Sequence, residues 1–235
     1  MALSKADKDR WAEIDKMVFE AKDELKAATN HRQLFDFAEE NGLGNKNDFG
    51  KFKASLRKIS VDYNALREET KERRDAELLE QAQEMEMNAE GLPFIQLESA
   101  AMEKDDEASF AITDVEGTAL WFGRFSSKFE RIRKEGDLVS AEQSAADKAV
   151  YAAATARKAL GIDNIALWLT TSCPDLDEDS LRVAGARQGV ALSITVDQDA
   201  DKALFMAQMG GFRNLRDVPE AELAALVESE SDEEG

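Results

Sequence analysis

"FIQLESAAMEKDDEASFAITDVEGTALWFGRF", residues 94–125, decides the architecture. Apolar, β-branched and aromatic residues gather in "FIQLE", "SFAITD" and "TALWFGRF", each about the length of a strand. The acidic run "SAAMEKDDEA" between the first two reads as a loop. "VEG" between the second and third reads as a turn, with Gly117 reversing the chain. Asp114 and Glu116 then stand either as reactive acids at a strand end or as the solvated acids of a hairpin. Further on, "SSKFERIRK" predicts a fourth strand, and "SAEQSAADKAVYAAATARKALG" an alanine-rich helix ended by Gly161. "NIALWLTTS" and "VALSITVD" predict strands, while "DEDSLRVAGARQG" and "DADKALFMAQMGG" predict helices. An antiparallel meander followed by alternating helices and strands makes an α+β fold, a mixed β-sheet layered with helices. Trp121, Phe122 and Trp168 read as sheet core.

Upstream the period changes from two to between three and four. Trp11, Ile14, Val18, Ala21, Leu25 and Ala28 form one stripe of an amphipathic helix, with Ser4 and Asp7 placed to cap it. The stripe is also a heptad seam, suited to packing inside its own domain or to dimerisation through this first helix. "HRQLFDFAEENGLGNKNDFGKFKASLRKI" predicts two short helices broken at "NGLGN", with Asn47 or Asp48 capping the second. The pair resembles a helix-turn-helix. Its second helix carries Lys46, Lys51, Lys53, Arg57 and Lys58 against one acid, Asp48, so it offers either a phosphate-binding surface or a solvated face. His31, the sole histidine, sits at a helix start and reads as structural. From Asp62 to about Asn88 alternating charges predict a long helix with few apolar residues, suited to projecting or to meeting a partner.

Charge divides the chain more sharply than composition does. Of the net −19, residues 1–82 carry −2, residues 83–107 carry −7, residues 108–216 carry −2 and residues 217–235 carry −8. The expected organisation is a helical module over 1–90, an acidic linker or edge-strand region over 91–107, an α/β domain over 108–216, and a short helix with an acidic disordered tail over 217–235. Such a tail repels itself and has little apolar surface with which to fold. The opening "MALSKADKDRWAEIDK" lacks the apolar core of a secretory signal, and no apolar run approaches the roughly 18 residues of a membrane span. Cys173 is the only cysteine, which excludes an internal disulfide or a cysteine metal cluster. A soluble, intracellular, cytoplasmic protein is expected. Neither a phosphate-binding "GxxxxGK" loop nor a "GxSxG" nucleophile elbow is present.

Over residues 108–211 the order of elements resembles the ribonuclease-H-like fold. The resemblance implies divalent metal ions, Mg2+ or Mn2+, held by carboxylates. Asp114 matches the acid of the first strand, Glu142 that of the first helix, and Asp201 the acid opening the last helix. At the central strand end the family's aspartate is replaced by Thr171, with Asp175 and Asp177 a few residues beyond as substitutes. "DVEGT" also resembles the Asp-x-Asp-Gly-Thr motif of haloacid-dehalogenase-like phosphatases, which would make Asp114 a nucleophile and Glu116 a general acid/base. That family's lysine is missing between "TTS" and Asp197.

Three functions follow. The favoured one is an acidic interaction or regulatory protein that docks on a protein partner, with a link to nucleic-acid metabolism. The second is a metal-dependent nuclease or phosphohydrolase using Asp114, Glu142, Asp201 and a displaced acid such as Asp175. The third is a DNA-binding protein acting through residues 46–58.

Overall fold

Short polar side chains, Ser4, Asn30 and Asn45, cap three helices of the first unit. In the computed structural model, which describes residues 4–104, 107–126, 128 and 130–228, the chain divides in sequence between Ala76 and Glu77. The Ser4 hydroxyl accepts from the Asp7 amide to open α1, Lys5–Glu20. Next come α2, Lys22–Lys26, and α3, His31–Glu40, where Asn30 and Gln33 form a reciprocal capping box. Helix α4, Lys46–Lys58, is capped by Asn45, whose side chain accepts from the Asp48 amide. Asn45 is extended (φ −71°, ψ 152°) and so meets the requirement for a cap, while Asn47 and Asp48 already lie inside the helix. Helix α5 is Tyr63–Met87.

The stripe of α1 is consumed at home. Ile14, Val18 and Leu25 are buried with Leu34, Leu43, Phe52 and Leu56 in one apolar cluster. Phe37 stacks on Phe52 at 5.9 Å, and Phe35 meets Phe49 edge-on at 5.5 Å. The seam read as a dimerisation surface is therefore occupied within the chain itself.

Among its described residues, the second unit is built on a mixed six-stranded sheet. Its elements are β1 (Phe94–Lys104), β2 (Glu107–Thr113), β3 (Ala119–Arg124), α6 (Leu138–Leu160), β4 (Ile165–Thr171), α7 (Glu178–Ala186), β5 (Val190–Val196), α8 (Lys202–Gln208), α9 (Glu220–Ala225) and β6 (Val227–Glu228). The order is β3-β2-β1-β4-β5. Strand β2 runs antiparallel to β1 and β3, whereas β1, β4 and β5 are mutually parallel. Two-residue β6 pairs Phe94 and Ile95, ahead of the point where β2 takes up β1 at Glu98.

The stretch expected to be an acidic loop or linker is the middle of the sheet. "SAAMEK" continues β1 as far as Lys104, which pairs Glu107. Small Ser99, Ala100 and Ala101 alternate between the two covered faces, and ladder bonds to β2 hold the run extended despite its acids. The sheet domain therefore includes residues before 108. "SSKFERIRK" forms no strand among its described residues; Glu130 to Lys134 are irregular. The tail beyond Glu228, on which the expectation of disorder falls, lies outside the described residues.

Each face of the sheet has its own cover. Ile95, Leu97, Ala101, Phe110, Ile112, Leu167 and Leu169 share a core with the alanines of α6. On the other face Ser109 donates to the Ala207 carbonyl and Glu98 accepts from the Ala203 amide, which seats α8. The free edge of β3 is met by a bridge between Phe122 and Arg213. That approach requires glycine at 123, where φ is 150° and a Cβ would stand 3.0 Å from the Phe212 Cβ. Among the described residues, no helix is long and apolar enough to cross a membrane.

Candidate functional site

The carboxylates singled out in the sequence lie in different surroundings. Asp114 belongs to the hairpin between β2 and β3. Its Oδ1 accepts from the Glu116 and Thr118 amides at 2.9 and 2.8 Å, and its carbonyl from the Gly117 amide. One carboxylate thus serves its own turn, and Glu116 beside it is exposed. Since β2 is antiparallel to both neighbours, Asp114 does not occupy the end of a parallel strand. Asp201 is exposed at the start of α8, and Asp175 is exposed in the loop after β4. Asp177 caps α7 through the Ser180 amide.

Glu142 is different. It lies on α6, is 6% exposed, and its Oε2 has no hydrogen-bond partner among the described residues. Burial pushes its carboxyl up to about 7, with a smaller opposing pull from the Ala101 backbone. Ser99, on the α6 side of β1, also leaves its hydroxyl unpartnered. At the end of β4, Thr171 is fully buried and accepts from the Cys173 amide. Burial, assisted by Glu142 and Asp175, pushes the Cys173 thiol upward. Among the described residues, no three His, Cys, Asp or Glu side chains gather closely enough to hold a metal ion.

Strand β1 carries two acids: Glu103, which pairs with Arg133 at 2.7 Å, and Glu98, which lies in a stretch legible as a strand from sequence but is not among the candidates named there. Glu98 faces α8, is 8% exposed, and its Oε1 accepts from the Ala203 amide at 2.8 Å. Glu98→Ala is expected to cost about 1–2 kcal/mol by orphaning an amide in the first turn of α8. The urea midpoint should fall with an unchanged slope.

The basic residues of α4 are mostly spoken for. Lys51 lies 3.5 Å from both Asp7 and Asp48, and Lys58 lies 2.6 Å from Asp15. Arg57 pairs with Asp62 at 3.5 Å, and Lys53 sits 5.4 Å above the Phe49 ring. Of these five cations only Lys46 has no partner among the described residues. Asp48 is held below its ordinary range by Asn45 and then by Arg10. The charges of α4 answer acids of α1, of α4 itself and, through Asp62, of the segment before α5; the match to α1 is one that sequence spacing does not reveal.

The open part of the sheet lies on the α8 side. Helix α8 is only seven residues long and packs against β1, β2 and β3. Across β4 and β5 the face holds Trp168, read from sequence as core but 46% exposed. Its ring stacks on Phe94 at 4.2 Å and 16°. The two rings, with Leu92, Ala191 and Ser193, line a groove of about 380 Å3. Glu86 and Glu90 also line it; Glu86 is bonded to Arg182 at 2.9 Å, while Glu90 is exposed. An aromatic floor beside a free carboxylate suits a cationic side chain, whose charge the ring face attracts and whose stem the apolar surface accepts. The clue in the sequence was the alternation of "IALWL", which places Trp168 opposite Leu167 and Leu169. No protein-family model matches the chain, and no curated protein is detectably similar to it.

Proposed function

We propose that the chain is an acidic docking protein whose sheet unit receives a basic, apolar segment of a protein partner. The Phe94–Trp168 groove beside Glu90 carries this reading, because an exposed aromatic stack is the kind of surface from which a partner excludes water. A net charge of −19 favours basic partners and steers them in a salt-dependent way. Calorimetry with a blocked alternating Arg–Val peptide tests it. Saturable binding that weakens with salt is expected, with affinity falling at least about tenfold in Trp168→Ala. Some stability should be lost as well, since half of the Trp168 side chain is buried against Phe94, so binding is compared where urea unfolding shows both proteins folded. Absence of binding, or indifference to the substitution, would sink the reading.

A second reading, metal-dependent phosphoryl hydrolysis, draws on the strand order and on the carboxylates of Glu98 on β1, Glu142 on α6 and Asp201 at the start of α8. Magnesium and manganese titrations of the wild type beside Glu142→Gln separate the two. A saturable metal site lost in the variant would favour the hydrolase.

A further inference from the structure

On the α6 face, away from the groove, a cavity of about 720 Å3 opens between β3, α6 and the segments 130–132 and 214–216. Its size falls in the range of small-molecule sites. Its walls are anchored. Glu130 accepts from Ser144 and Lys148 at 2.7 and 2.8 Å, fixing one segment to α6. Arg213 donates to the Ala119 carbonyl and to Glu222, fixing the other beside β3.

Charge here runs against the rest of the molecule. Arg131, Lys148 and Arg216 face Glu130 and Asp147, three cations against two acids in a chain with 49 acids and 30 bases. Lys148 and Glu130 satisfy each other. Among the described residues, neither Arg131 nor Arg216 has a carboxylate partner, and both are exposed. Two aromatic rings form a tilted notch: Trp121 and Tyr151 stand 6.2 Å apart at 59°. Trp121 is locked edge-on against Phe110 at 5.3 Å, so it offers a fixed surface. Asp147 and Asn214 add polar groups; the Asn214 Oδ1 already accepts from the Arg216 amide, which leaves its NH2 free to donate.

We propose that this cavity binds a free nucleotide, with its base against Trp121 and Tyr151, its phosphate on Arg131 and Arg216, and its base edge met by Asp147 and Asn214. Guanidinium groups suit phosphate oxygens in forked pairs, and a base gives the ring notch and the polar edge-readers a partner that a plain aromatic acid lacks. The site stands independently of the Trp168 groove, whose floor is on the other face.

Calorimetry on the full chain tests it, with AMP, GMP, CMP and UMP in turn, then inorganic phosphate and adenosine. At least one mononucleotide is expected to bind with a Kd below about 1 mM. Phosphate and nucleoside alone should each bind at least about tenfold more weakly, because each makes half of the contacts. Arg131→Ala with Arg216→Ala should weaken the nucleotide by about tenfold or more, and Tyr151→Leu by about fivefold or more. All three side chains are exposed, so thermal midpoints should stay unchanged, and Trp168→Ala should leave nucleotide affinity intact. No binding at millimolar concentration, phosphate binding as tightly as the nucleotide, or a double variant that binds normally would each overturn the proposal.

Discussion

Glu142→Gln is expected to be roughly 3 kcal/mol more stable than the wild type, relative to acid, once the pH exceeds about 7. The side chain is 6% exposed and its Oε2 has no partner among the described residues, so ionising it in place is costly. Its carboxyl titrates near 4.5 when unfolded and about 7 when folded. Between those values the folded chain keeps a proton that the unfolded chain has released. Stability therefore falls as pH rises through this window and levels off above it. Glutamine has the same shape and does not titrate. Urea unfolding from acid to pH 8.5 should show the wild type declining against the variant, and parallel curves would refute the assignment. Asp147, which burial also raises, is present in both proteins, so their difference isolates Glu142. The same pair informs function. A bound cation would relieve the buried charge, so magnesium that stabilises only the wild type at pH 8 would strengthen the hydrolase reading.

Elements dominated by local pattern were legible in the sequence. The cap at Ser4, the helix end at Gly161 and the turn at Gly117 all follow from residue types whose backbone preferences act without help from elsewhere. What escaped depended on partners distant in sequence. "SAAMEK" has loop-like acids, yet it is β1 because β2 bonds along its length; only the pairing of Glu98 with Thr113 and of Lys104 with Glu107 reveals it. A first strand placed at "SFAITD" puts Asp114 where the true first strand, β1, carries Glu98. The cations of α4 looked free for phosphate because Asp7 and Asp15, their partners, lie about 40 residues earlier. Trp168 looked like core because a strand's periodicity tells two faces apart without telling which one a short α8 leaves uncovered.

Phe52→Ala is expected to be the most damaging of the substitutions considered, costing about 3–5 kcal/mol. Phe52 is fully buried among Ile14, Val18, Leu34 and Leu56, with rings of Phe37 and Phe49 at 5.9 and 6.1 Å. Alanine removes the ring and leaves a void that four short helices cannot close without giving up their own contacts. Amide exchange in α3 and α4 should accelerate by about a hundredfold or more. The apolar cluster of the sheet contains no residue of this one, so the slowest amides of β1 and β4 should keep their protection. A uniform rise in exchange along the chain would contradict that separation. The variant also bears on the charges of α4. Lys51 and Lys58 reach Asp7 and Asp15 only while α1 and α4 stay packed, and pairs in which at least one partner is half exposed to water contribute little themselves. Loosening the core should therefore free those cations and let the variant bind heparin at low salt more tightly than the wild type does. Equal or stronger heparin binding by the intact protein would mean that α4 presents its charges outward after all, and would return nucleic acid to the front of the functional candidates.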